Sequence, residues 1–158
     1  MYFKKIKIAS KISCTLILFF LFTMHMYAQN DNNSLRIQNW EKLWNPAFVD
    51  DYADKYIELE VKWIGVATNL MDACAAKKPY NNGSWIQVGI AKKDDKLNPS
   101  LNQYTTQKWK AFVKKEYSDK LFELNSDENI KIFANVKKHK NMLGNYIVLE
   151  INKIEIIQ

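Results

Sequence analysis

Residues able to do covalent or metal chemistry are sparse in this chain. Cys74, in MDACAA, and His139, in VKKHKN, could form a nucleophile–base pair on paper. Such a pair needs a thiol and an imidazole within hydrogen-bond reach and a third group to orient the base. The two residues stand in separate segments, and no orienting motif surrounds either. A zinc site takes three or four converging His, Cys or carboxylate ligands, so no metal and no cofactor is expected. Asp50, Asp51, Asp72, Asp94 and Asp95 could supply a paired-carboxylate hydrolase, but they fall at helix starts and in loops, where capping and solvation are the usual roles. The four glycines are scattered and form no phosphate-cradling loop. The expectation is a protein that is not an enzyme. What recurs instead is aromatic rings beside lysines. Tyr80, Trp85, Tyr104 and Trp109 alternate with Lys92, Lys93, Lys108 and Lys110. Rings of this kind stack on bases or sugars while the amines meet anionic groups. They also pack readily into cores, and composition does not choose between the two.

The first residues stand apart from these. MYFKKIKIASK is basic and lacks acids. ISCTLILFFLF is apolar but too short to span a bilayer as a helix, which takes about 20 residues, and TMHMYA ends on a small side chain. This order predicts a signal peptide over 1–28 and an exported protein in the periplasm or at the cell surface. The formal charge of +6 falls to +2 once Lys4, Lys5, Lys7 and Lys11 are removed. The basic balance therefore belongs largely to targeting and is poor evidence for nucleic acid. One cysteine, Cys74, would remain, so no intramolecular disulfide is expected.

The elements that must position the aromatic and basic residues follow from periodicity. Residues 29–45 read as a polar leader and an N-terminal helical segment, with Trp40, Leu43 and Trp44 at helical spacing. Asn45 and Pro46 then suit a second helix start, with Val49 and Tyr52 on its apolar side. KYIELEVKWIGVA is one long strand. Its apolar residues alternate at Ile57, Leu59, Val61 and Trp63, and then the phase slips at Ile64–Gly65. SWIQVGIA is a second strand with Ile86, Val88 and Ile90 on one face. KKDDKLNPSLNQYTTQ reads as a mobile polar connection. KWKAFVKKEYSDKLFEL fits either one amphipathic helix or a strand ending near Lys115 followed by a short helix that Ser118 caps. The strand-then-helix reading is the one that suits a barrel. NIKIFANVKK and YIVLEINKIEII form a final hairpin around Gly144, and its last strand also slips phase.

A long strand bent by a bulge or glycine can serve both halves of a small closed barrel. On FVDDYADKYIELEVKWIGVA, KWKAFV with DKLFEL, and NIKIFANVKKHKNMLGNYIVLEINKIEII, the chain resembles the OB-fold, and more narrowly the bacterial tRNA-anticodon-like OB domains. The turn NSDENI lacks the glycine that many relatives place before the fourth strand. The resemblance implies a mainly β fold with short helices over 46–158, a five-stranded OB-like Greek-key barrel preceded by an N-terminal helix. It also implies a ligand face on the second and third strands, which here would present Trp85, Gln87, Trp109 and Lys110, with Lys92, Lys108 and Tyr104 at the rim. A non-catalytic binding module for an envelope protein, peptide or glycan is expected. A single-stranded nucleic-acid-binding domain and a structural or stress-related envelope protein without a small ligand are the alternatives.

Overall fold

The computed structural model describes residues 34–67 and 78–157. The signal-peptide reading, residues 29–33 of the leader and Cys74 lie outside the described residues. β1 is a two-residue strand, Leu35–Arg36. It runs parallel to the start of β2, Tyr56–Val66. Between them come α1 (Trp40–Trp44), a 3-10 turn (Pro46–Phe48) and α2 (Val49–Tyr52). Asn39 caps α1 through its side chain, which accepts from the Lys42 amide at 2.7 Å. Asn45 accepts from the Ala47 amide at 3.0 Å. Short polar side chains satisfy helix-start amides that have no internal partner.

β2 spans 11 residues and serves two neighbours. Tyr56 to Lys62 pair antiparallel with β7 (Asn129–Asn141), while Val61 to Val66 pair antiparallel with β3 (Trp85–Lys92). The register shifts between Trp63 and Gly65, where the sequence alternation slips, and Gly65 has φ +138°. An L side chain rarely adopts that backbone, so glycine makes the bend possible. The turn that enters β7 clasps the bulge from outside. The Trp63 amide donates to the Glu128 carbonyl at 2.8 Å, and the Asp127 amide donates to the Trp63 carbonyl at 2.9 Å. In this turn Asp127 takes φ +77°, filling the left-handed position where a glycine would be expected.

Two short strands, β4 (Leu97–Asn98) and β5 (Gln103–Tyr104), follow β3 and pair as a ribbon. The connection read as mobile from its polarity is therefore structured. Its anchor is the Asp95 carboxylate, which accepts from the Thr106 amide and hydroxyl, both at 2.7 Å, and from the Thr105 hydroxyl at 2.9 Å. β6 is Lys108–Lys114, so the ambiguous segment is a strand. It passes through a 3-10 turn, Lys115–Tyr117, into α3, Ser118–Leu121. Ser118 is already helical and is not the N-cap of α3, because that turn delivers the chain to α3 in helical conformation and Tyr117 holds the N-cap place.

β7 and β8 (Gly144–Ile156) form the long terminal hairpin, and β8 also pairs parallel with β6. The order β2-β3-β6-β8-β7, with β7 returning to β2, closes a five-stranded barrel. Inward residues from all five strands, among them Val61, Trp63, Val88, Ala111, Ile132 and Leu149, share one core with Leu43, Val49 and Leu121 from the helices. Each fully buried Val, Ile or Leu contributes about 1.5–3 kcal/mol relative to exposure. With no disulfide among the described residues, this burial carries the fold.

Candidate ligand face

The outer surface of β3, β6 and β8 departs from the usual polar exterior. A second cluster of Tyr80, Phe112, Tyr146 and Val148 is buried there, with Trp85 packed against it. Tyr80 reaches it from the segment preceding β3. Its ring stacks on Phe112 at 4.1 Å and 15°, and meets Trp85 edge-on at 5.6 Å. The Tyr80 hydroxyl donates to Glu150 Oε1 at 3.0 Å and lies 3.4 Å from His139 Nε2. His139 stacks on Tyr146 at 5.8 Å, and the Lys110 ammonium sits 4.7 Å above the Tyr146 ring. Offset and edge-on aromatic contacts contribute about 0.5–1.5 kcal/mol each beyond area burial. The layer is thus a rigid aromatic sheet with a cation and a carboxylate at its edge.

A second bulge decides which side chains of β6 reach this surface. Val88 pairs with Ala111, but Ile90 pairs with Lys108, so β6 carries one extra residue opposite Gly89. The slip reverses parity between Lys110 and Lys108. Trp109 comes onto the outer face, where two atoms of its ring lie 2.8 Å from the position a Cβ on Gly89 would take. Lys108 follows inward-facing Ile90 and is half-buried. Burial, and then the neighbouring Lys110, pull its ammonium below the ordinary lysine value. Among the described residues Lys108 has no acidic partner.

The residues expected to form one site are distributed along this face rather than gathered. Trp85 pairs with Lys114 at one end of β3, while Trp109 covers Gly89 toward the other. Four residues of strand separate the two places, about 13 Å. The two tryptophans, both expected on one ligand face, therefore occupy separate places along it. Trp85 borders an open depression of about 570 Å³ with Gly83, Ser84, Lys114, Lys115 and Glu116. Trp109 borders another of about 410 Å³ with Leu101, Gln103, Tyr104, Thr105 and Gln107. Gln87 lies between them, 6% exposed, and its amide donates to the Trp109 carbonyl at 2.6 Å. Tyr104 is also 6% exposed and carries the Lys62 ammonium 5.7 Å above its ring. Lys92 is paired with Glu41 at 2.7 Å, and Lys93 with Glu60. The hydrogen bond from Lys92 holds the Glu41 carboxyl below its ordinary range.

Sequence reading underrated Tyr80, Phe112 and Tyr146. The signal for them is present in YIVLEI, whose apolar residues occupy both parities. A strand buried on one side alternates, and one buried on both sides does not. No cluster of His, Cys, Asp or Glu suited to a metal ion occurs among the described residues.

Strand order, closure and the helix between the third and fourth barrel strands define an OB-like barrel. No family model and no curated protein matches the chain. Similar folds occur among solved structures. One is a Leishmania major Friedlin chain assigned as an aspartyl-tRNA synthetase, at 12% identity and a TM-score of 0.44. The match covers 79% of this chain and 21% of that one. The barrel rests on the strand pairing above, and this likeness adds nothing to it.

Proposed function

We propose that this protein is an exported, non-catalytic binding module whose β3–β6 outer face takes an extended peptide or glycan in the cell envelope. The observation that carries the reading is the pair of half-buried tryptophans, each beside its own open depression, spaced along a face already paved with packed aromatic rings. Trp109 is set outward by a bulge, the far edge of its ring packs over Gly89, and the half-buried side chain keeps part of its surface for a stacking partner. Two such platforms about four strand residues apart suit a chain-like ligand better than a compact one. Export is supported by the Lys-rich start and the apolar run of residues 1–28.

Capture from an envelope extract tests the reading. The parent chain should retain a specific peptide or glycan, and both Trp85→Ala and Trp109→Ala should weaken that retention tenfold or more, since an aromatic platform contributes about 1–3 kcal/mol per stacked group. Salt-reversible retention on single-stranded DNA, with no capture from the envelope extract, would replace it with the oligonucleotide reading. That second reading has one observation of its own, the run of Lys108, Lys110 and Lys114 on β6.

A further inference from the structure

The most exposed large apolar side chains among the described residues sit together at one point. Met142 and Leu143 are 102% and 95% exposed and form the two-residue turn between β7 and β8. Turns of this length favour Asn, Asp and Gly, and two bulky apolar residues are an unusual choice. The backbone does not ask for them. Asn141 Oδ1 accepts from the Leu143 amide at 2.9 Å, and Gly144 supplies the positive φ of +121°. Flanking residues therefore meet the conformational needs of the turn, while Met142 and Leu143 touch nothing the fold requires.

The strands behind this tip are basic. Lys137, Lys138 and Lys140 lie in the half of β7 next to the turn, and the interval between Glu128 and Glu150 contains no acid. Lys140 pairs with Asn145, one step behind the turn. Lys110 joins the collar from β6 through its contact with Tyr146. Lys137 and Lys138 stand further back, where Asp54 and Asp50 pair with them. A protein partner would need a pocket shaped to a convex apolar point. A bilayer needs none, because its acyl boundary admits any apolar point and its headgroups meet the lysines behind it.

We propose that the β7–β8 hairpin tip docks this protein on an anionic lipid surface, with Met142 and Leu143 entering the acyl boundary and Lys140 and Lys110 facing the headgroups. The inference rests on the turn and Lys140, and shares only Lys110 with the ligand face. Two side chains bury less than a myristoyl chain, whose own binding constant is only about 10⁴ M⁻¹, so the attachment is reversible and depends on the lysines.

The test uses the full chain and vesicles of equal parts phosphatidylcholine and phosphatidylglycerol. Residues 1–28, if retained, would add binding of their own, so the readout is the difference between variants together with a signal specific to residue 142. Replacing Met142 and Leu143 together by serine should lower the vesicle binding constant by roughly tenfold or more and leave the melting temperature unchanged, as both side chains are exposed. Lys140→Glu should weaken binding to these vesicles and not to pure phosphatidylcholine. In the parent, the carbon-13 methyl signal of Met142 should broaden when the vesicles carry nitroxide lipid. Equal binding by the double-serine variant, or an unbroadened Met142 signal on vesicle-bound protein, overturns the proposal. So does self-association that depends on the tip without any vesicle binding.

Discussion

Gly89 tests how the Trp109 platform is made. In Gly89→Ala the added Cβ meets the Cη2 and Cζ3 atoms of Trp109 at 2.8 Å and the Cβ of Ile64 at 3.0 Å. Carbon pairs normally settle about 3.5–4.0 Å apart, so something must move by several tenths of an ångström. Ile64 is held by its own backbone in the bulge of β2, and its carbonyl accepts from the Ser126 hydroxyl at 3.1 Å. The far edge of the Trp109 ring, half-exposed, is the softer partner and should tilt outward. Overpacking of this kind costs about 1–3 kcal/mol. It is partly offset by the 0.5–1 kcal/mol by which alanine is typically favoured over glycine within a strand. The net expectation is a loss of about 1–2 kcal/mol in denaturant unfolding, with a red shift of tryptophan emission. A double-mutant cycle separates the causes. In a Trp109→Ala background the same change should cost clearly less, because the clash with the ring is gone and only the 3.0 Å contact with the Cβ of Ile64 remains. An equal cost in both backgrounds would show that the glycine answers to Ile64 or to the backbone and not to the ring, and would refute this account of how the ring is placed.

Three further outcomes follow from the same geometry. Gly65→Val should lower stability by about 1–3 kcal/mol through backbone strain at φ +138°, and an unchanged melting temperature would mean that the bend of β2 does not depend on glycine. Asp127→Gly should raise stability by up to about 1 kcal/mol, since it relieves a left-handed residue at φ +77° and gives up a long, 3.7 Å ion pair with Lys62 that is exposed on the aspartate side; a lower melting temperature would count against strain there. Burial disfavours charge on Asp95, but bonds from Thr106, Thr105 and the Lys96 amide outweigh it and hold its carboxyl below the ordinary aspartate value. A depressed folded value means stability that is complete above the unfolded pKa and is lost as pH falls through the folded one, so the protection of the Thr106 amide against exchange, relative to its intrinsic rate, should fall only at acid pH, and Asp95→Asn should lower it already at neutral pH.

The barrel was legible because a closed sheet leaves its mark on every strand. Inward residues alternate, and the two places where alternation fails in β2 and β8 coincide with register shifts at Trp63/Gly65 and at Phe133/Ala134 opposite Ile151. The strand assignment of Lys108–Lys114 came from the same source. It required a third edge for the barrel, although helical spacing of Trp109, Val113 and Tyr117 argued against it. Local signals also sufficed for Asn45 capping its 3-10 turn. They failed at Ser118 because a capping residue must first stand outside the helix, and here a preceding 3-10 turn has already begun the winding.

The face was less legible because its arrangement depends on contacts between distant segments. Alternation alone assigns Trp109 to the same side as Ala111 and Val113, which would bury it in the barrel. One extra residue in β6 reverses that, and nothing within KWKAFV announces it. The bulge depends on a glycine twenty residues earlier in β3, against which the ring can lie, and on Ile64, itself displaced by the bulge in β2. Gly65 and Gly89 are paired across those two strands. The two departures from regular pairing therefore meet at one place, where the absence of a Cβ on Gly89 makes room for an indole. The residue that bends the first barrel strand and the residue that supports the outward tryptophan are neighbours. On this geometry, the irregularity that closes the barrel also sets the platform on its surface.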